Sequence, residues 1–184
     1  MSVTVLVPLA EGCEELEAVT IIDLLRRAKI NVVTASLGPV AVTASRGVHL
    51  VADTELDEVI YNDFDMVILP GGLPGATNLN SDPRIHAILK RLYQNGKALA
   101  AICAAPLVLA NAGLLDGKTA TFYPGALNLD DWPNTLFSGD AVVVDDRVLT
   151  SRGPGTAMDF ALAIIEYLTD AKTRSDVEKG LVRG

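Results

Sequence analysis

A three-layer α/β/α sandwich around a mostly parallel sheet is the fold predicted for this 184-residue chain, and three observations predict it. Short β-rich apolar runs alternate with helical stretches, the pattern of parallel strands joined through covering helices. Runs such as Met66–Leu69 and Ala98–Ile102 are apolar at every position, as strands buried on both faces must be. Several runs then break into loops of small residues before a helix begins, and in such sheets ligands bind beyond the carboxyl ends of the strands.

The elements follow in order. Val3–Pro8, within the amino-terminal run from Met1, is a strand rich in β-branched positions, and Leu9–Cys13 is its loop. A helix from about Glu14 to Ala28 ends in Arg26-Arg27, cations that complement a helix carboxyl end. Asn31–Ala35 is the second strand, and Val40–Thr43 with Val48–Val51 forms a short antiparallel excursion around Ser45-Arg46-Gly47. Met66–Leu69 breaks at the Pro70-Gly71-Gly72 loop. Asp82-Pro83 supplies the cap and first turn of a helix that Gly96 closes. Ala98–Ile102 leads to Cys103 and a helix stopping near Gly113. Beyond Gly117 the pattern turns β-rich, with Thr119–Phe122, Ala141–Val144 and Arg147–Thr150, the last two joined at Asp145-Asp146. Gly153-Pro154-Gly155 opens a long helix from Thr156 to Leu168, and a polar helical tail follows. No repeat, low-complexity tract or linker interrupts the order, so residues 1–184 read as one domain of flavodoxin type.

Composition narrows the function. The chain is 49% hydrophobic, enough for a sizeable core, yet no apolar run reaches membrane-span length. The amino terminus lacks the basic start and cleavage site of a signal peptide, and Cys13 and Cys103 cannot build a disulfide framework. A cytoplasmic protein with free thiols is the expectation. A net charge of −8 argues against nonspecific nucleic-acid or anionic-membrane binding. Two histidines and two cysteines are too few for a dedicated zinc site, and no cofactor motif is present.

Cys103 stands at the junction of a buried strand and a helix. A nucleophile on such a sharp turn needs small neighbours two residues to either side, and Ala101 and Ala105 provide them. Pro106 suits a first helical turn, and the helix amino end favours a thiolate. On this segment alone Cys103 is equally an ordinary core cysteine, since free Cys packs as a small hydrophobe. Glu17 shares a helix face with Ile21 and Leu24, so its carboxyl projects from an apolar stripe. Two readings follow: a side chain that reaches round to solvent, or a buried acid whose pKa is raised by desolvation. Gly71-Gly72 is either a simple turn or, with the Ala104 amide, an oxyanion hole over the thiol. Cys13 precedes a helix start and is read as a passive thiol. The stripe Ala18, Ile22 and Leu25 is the surface expected to meet a second subunit.

Five ordered segments carry a resemblance: Gly12 to Val19, Ser45-Arg46-Gly47, Leu69 to Gly72, Ala101 to Pro106, and Thr150 to Thr156. Their order and spacing resemble the ThiJ/PfpI superfamily, in the branch of the Parkinsonism-associated protein and bacterial YajL. That resemblance implies Cys103 as nucleophile and oxidation-sensitive thiol, Glu17 as its protonated carboxyl partner, and Gly72 and Ala104 as backbone donors. It also implies a homodimer that brings basic side chains near the pocket, at the positions of Arg27 and Arg46; ordinary surface charge is the other reading of both. Departures from the pattern matter too. Tyr123 occupies a position where some members carry histidine, and His49 and His86 fall away from the elbow, so no Cys–His dyad is expected. Ala104 stands where the protease-like branch has histidine, Glu17 where isonitrile hydratases have aspartate, and the His-Glu pair of glutamine amidotransferases is missing.

The function implied is cofactor-independent chemistry on methylglyoxal or related dicarbonyls, as a glyoxalase or a deglycase-like hydrolase in oxidative or carbonyl stress defence. The alternative is a redox-sensing, chaperone-like protein whose Cys103 is oxidised to sulfinate.

Overall fold

In the computed structural model, which describes residues 3–183, the period-two alternation of strand side chains sorts the core into two halves. Met1 and Ser2, the start of the expected first strand, lie outside the described residues. The elements run β1 (Thr4–Leu9), α1 (Glu15–Arg27), β2 (Asn31–Ser36), β3 (Ala41–Thr43), β4 (His49–Val51), β5 (Thr54–Glu55) and α2 (Leu56–Val59). Then come β6 (Met66–Leu69), α3 (Leu73–Ser81), α4 (Pro83–Gln94), β7 (Ala98–Ile102) and α5 (Pro106–Asn111). The chain closes with β8 (Thr119–Ala120), β9 (Leu136–Phe137), β10 (Val142–Asp145), β11 (Val148–Ser151), α6 (Ala157–Leu168) and α7 (Ala171–Gly180). Seven strands form the main sheet in the order β10-β11-β7-β6-β1-β2-β5, parallel throughout except for the β10–β11 hairpin.

Val5, Val7, Ile68, Ala100 and Ile102 point to one face, where they join Ile21 and Leu25 of α1 and Phe160 and Ile164 of α6. Leu6, Val67, Leu69, Leu99 and Ala101 point to the other, against Leu79 of α3, Ile88 and Leu92 of α4, and Val108 of α5. Both faces of the sheet are therefore covered, and each fully buried leucine, isoleucine or phenylalanine contributes roughly 1.5–3 kcal/mol. Among the described residues no helix is long and apolar enough to cross a membrane.

Three sequence expectations change. The stripe Ala18, Ile22 and Leu25 does not form an outer surface: Ala18 and Leu25 are fully buried in the chain's own core beside α6, and Ile22 packs partly buried against that core. The apolar side chains that α1 leaves exposed are Leu16 (51%) and Val19 (48%). The expected strand Thr119–Phe122 shrinks to Thr119–Ala120, which pairs with β9 in a small separate sheet. Helix α3 follows Gly72 at once, although Leu73–Ser81 contains glycine, proline and two asparagines. Its inward Ala76 and Leu79 outweigh that weak propensity.

The carboxyl ends of β1, β6, β7 and β11 all lie at one end of the sheet, since these strands run parallel. The loops after them bring residues 10–14, 70–72, 103–105 and 152–154 together. That edge is where parallel α/β sheets bind ligands.

Candidate active site

Cys103 is the first residue beyond β7 and has φ +64, the left-handed region that side chains avoid at a cost of about 1–2 kcal/mol. Two main-chain hydrogen bonds hold it there. Its N–H donates to the Ser151 carbonyl at the end of β11 (3.0 Å), and its carbonyl accepts from the Tyr123 N–H (2.8 Å). Ala101 and Ala105 are completely buried on either side, which leaves no room for larger residues. The turn passes into α5, whose first residue is Pro106. Cys103 itself is 7% exposed, at the floor of a cavity of about 450 Å³.

Glu17 lies in the first turn of α1, whose cap is the Glu14 carboxylate accepting from the Glu17 N–H (3.0 Å). Its side chain is completely buried, which resolves the two readings of this residue in favour of the buried acid. Oε2 accepts from the Gly71 N–H (2.9 Å), and Oε1 has no hydrogen-bond partner among the described residues. Gly71 makes the arrangement possible. A Cβ there would sit 2.6 Å from the Cys103 Cβ and 2.7 Å from Glu17 Oε2, so only glycine lets the carboxyl reach the cysteine. Gly72 is equally constrained, with φ +85 and the Gly12 carbonyl 2.5 Å from any added Cβ.

The two glycines divide the work. The Gly71 amide is committed to Glu17, whereas the amides of Gly72 and Ala104 face the Cys103 sulfur. The same two donors therefore stand where charge would develop on a substrate oxygen bound at the thiol.

Burial pushes Glu17 up to about 7, against the pull of the Gly71 amide and Cys103. Burial, and after it the negative charge of an ionised Glu17, pushes the Cys103 thiol up to about 12; the Gly72 and Ala104 amides pull the other way. The backbone amides expected to favour the thiolate are in place and pull that way, but burial is the larger effect. The pair resists ionising twice, so it carries one negative charge above neutrality, and a proton resting on Glu17 leaves that charge to sulfur. Cys13 is completely buried against Gly75 and is pushed up to about 11, chiefly by burial, consistent with a passive thiol.

Arg46 lines the cavity, carried on the turn between β3 and β4. The Glu15 carboxylate holds that turn, accepting from the Ser45 hydroxyl (3.0 Å) and the Arg46 N–H (2.9 Å). Arg27 is not brought to Cys103 within this chain: it pairs with Asp23 (2.8 Å) and lines a different hollow beside Thr173 and Asp176. His49 lies in β4 near the Thr43 hydroxyl, and His86 in α4 contacts the Asn80 carbonyl; neither lines the cavity. Sequence reasoning missed Leu73 and Pro74, cavity residues delivered by the unforeseen α3. The proline two residues after Gly72 was the available signal for that helix start. Pro154, in the loop expected at this end, does line the cavity.

Elbow cysteine, buried carboxyl and paired glycine and alanine amides on a parallel sheet define a class: α/β proteins with a cysteine at a strand-to-helix elbow and, among the described residues, no histidine lining its cavity. Comparison with known proteins makes this specific. The chain belongs to the DJ-1/PfpI family, which it matches over residues 3–167. It is 43% identical to Protein dj-1beta of Drosophila melanogaster over 184 residues, covering 99% of this chain and 98% of that one. Protein DJ-1 homolog B of Arabidopsis thaliana is 49% identical over 165 residues, but the match spans 88% of this chain and only 37% of that longer relative. Glutathione-independent glyoxalase DJR-1.2 of Caenorhabditis elegans is 34% identical over 180 residues, 98% of this chain and 95% of the relative. The crystal structure of Drosophila melanogaster DJ-1beta superposes with a TM-score of 0.94 at 42% identity, and the solved structure of oxidized Toxoplasma gondii DJ-1 with 0.95 at 39%, each over 100% of both chains.

Proposed function

We propose that this chain is a cofactor-independent glyoxalase that converts small 2-oxoaldehydes such as methylglyoxal to 2-hydroxy acids, in defence against carbonyl stress. The observation that carries the reading is Glu17: a fully buried carboxyl, poised near 7, beside a thiol at the floor of a small cavity. A group balanced at working pH can give and take protons in one turnover.

The Cys103 sulfur adds to the aldehyde carbon while the carbonyl oxygen accepts from the Gly72 and Ala104 amides, and Glu17 protonates that oxygen to give a hemithioacetal. The Glu17 carboxylate then removes the hydrogen on the former aldehyde carbon, giving an enediolate. It returns the proton to the neighbouring carbon while the hydroxyl proton on the first carbon's oxygen passes to the second oxygen, which leaves a thioester of the 2-hydroxy acid. Water cleaves the thioester, and the thiol regains its proton. No electron leaves the substrate, so no redox cofactor enters the balance. The glyoxalase-named relative supports the same reaction class. Deglycase-type hydrolysis of dicarbonyl adducts would use the same nucleophile and acid.

The test is lactate formed from methylglyoxal by the wild type, Cys103→Ser and Glu17→Gln. The lactate must be detected directly, because any thiol depletes the dicarbonyl reversibly. Turnover in the wild type and its loss in both variants is the expected result; equal lactate from Glu17→Gln would remove the carboxyl from the mechanism.

A second reading rests on the donors around sulfur. Two equivalents of peroxide would take the Cys103 thiolate through sulfenate to sulfinate, releasing two waters, and the Gly72 and Ala104 amides with protonated Glu17 would hold the new oxygens. A stable, selective sulfinate by mass spectrometry, without lactate production, would put this reading first. We also propose a homodimer, built on the exposed Leu16 and Val19 of α1 and Val51 (74% exposed) of β4. Light scattering should give twice the chain mass, and Leu16→Asp with Val19→Asp should halve it.

A further inference from the structure

The cavity above Cys103 adjoins two shallower hollows. One, of about 210 Å³, is lined by Arg152, Gly153 and Thr156; the other, of about 370 Å³, by Phe122, Leu129, Phe137 and Arg152. Pro124 borders all three spaces, and Tyr123 borders both the Cys103 cavity and the smaller hollow. The Tyr123-Pro124 step, with Pro154 toward the smaller hollow and Gly125 toward the larger, is thus a partition, and the Tyr123 side chain is its bulkiest part.

Two contacts fix where that side chain stands. The Tyr123 N–H is bonded to the Cys103 carbonyl, so the main chain from which the ring projects is held beside Cys103. The edge of the ring lies over Gly153: a Cβ added there would be 3.2 Å from Cδ2 and 3.8 Å from Cε2. The Gly153 backbone is extended (φ 167), a conformation open to any residue, so the ring is all that an alanine would meet. Tyr123 as a whole is about half exposed (51%).

We propose that Tyr123 determines the size of molecule that reaches Cys103, walling the thiol cavity off from the hollow floored by Arg152 and Gly153. The wall restricts the site to small carbonyl compounds; without it the spaces merge and larger ones fit. This rests on the reading of the cavity as the place where carbonyl substrates meet Cys103, but its test needs no turnover.

The probes are iodoacetamide and its N-phenyl analogue, which alkylate thiols by one reaction: the sulfur–carbon bond forms as carbon–iodine breaks, iodide leaves and the thiol proton passes to buffer. Rates are read by mass spectrometry of the Cys103 peptide, and the quantity of interest is the ratio of the bulky rate to the small one. That ratio should rise about tenfold in Tyr123→Ala, the low end of what a pocket wall contributes to discrimination. It should stay at the wild-type value in Tyr123→Phe, which keeps the wall. It should fall in Gly153→Ala, whose added methyl pushes the ring away from the outer hollow and into the thiol cavity. An unchanged ratio in Tyr123→Ala, or a shift in the same direction in Gly153→Ala, overturns the proposal. If Tyr123→Ala does not fold, Tyr123→Leu and Gly153→Ala decide the matter. A shifted ratio in a protein that makes no lactate would sink the glyoxalase reading and leave the wall standing.

Discussion

Replacing Glu17 by glutamine should stabilise the protein at pH 8 relative to its effect at pH 5, the reverse of what losing a buried polar contact ordinarily does. Burial lifts the carboxyl from 4.5 to about 7, so the folded state holds its proton where the unfolded chain has released it. The stability tied to the neutral acid is complete below about pH 4.5 and is lost as pH rises through 7. By pH 8 the loss amounts to about 3 kcal/mol. Glutamine has no charge to bury and does not incur it. Whatever the new amide costs by facing Cys103 and lacking a partner is the same at every pH and cancels from the difference. Urea unfolding of the wild type and Glu17→Gln from pH 4.5 to 8 measures it. The stability difference should swing by about 3 kcal/mol in favour of the variant, a shift of roughly 6–12 °C in Tm for a chain of this size. A difference that is flat with pH would refute the claim that the carboxyl is forced to ionise in a dry site.

Two further outcomes follow from the same residues. The rate of Cys103 alkylation by iodoacetamide should rise to a shoulder near pH 7 in the wild type, where the pair gains its single charge, and climb again only at high pH. Glu17→Gln should lose the shoulder, and a featureless rise in the wild type would break the link between the two groups. Gly71→Ala places a methyl 2.6 Å from the Cys103 Cβ and 2.7 Å from Glu17 Oε2. It should destabilise the fold by about 1–3 kcal/mol, as overpacking does, and abolish the pH 7 shoulder by separating carboxyl from thiol; both are readable in the same two assays.

The parallel sheet was legible because strands buried on both faces must be apolar throughout, and Met66–Leu69 and Ala98–Ile102 are. Cys103 was legible because a sharp turn demands Ala101 and Ala105, and Glu17 because a carboxylate on the face of Ile21 and Leu24 needs a reason. What escaped the sequence was set by distance and by competition between effects. The split between the Gly71 and Gly72 amides depends on a contact 54 residues away. The thiol's proton affinity depends on burial outweighing the Gly72 and Ala104 amides, a balance that no local pattern records. The contact of Tyr123 with Gly153 joins loops after different strands, and Arg27 lies at the far end of α1 from the thiol.

The clamp on the elbow is made of main-chain atoms at Tyr123 and Ser151, groups that almost every amino acid possesses. At the half-exposed site 123 the position of Cys103 therefore does not hang on the side chain, and proline there, which lacks the N–H, is the exception. Residue 123 can exchange imidazole for phenol for a plain methyl while the strained cysteine stays where it is. The scaffold thus separates the part that must not move from the part free to reshape the cavity wall.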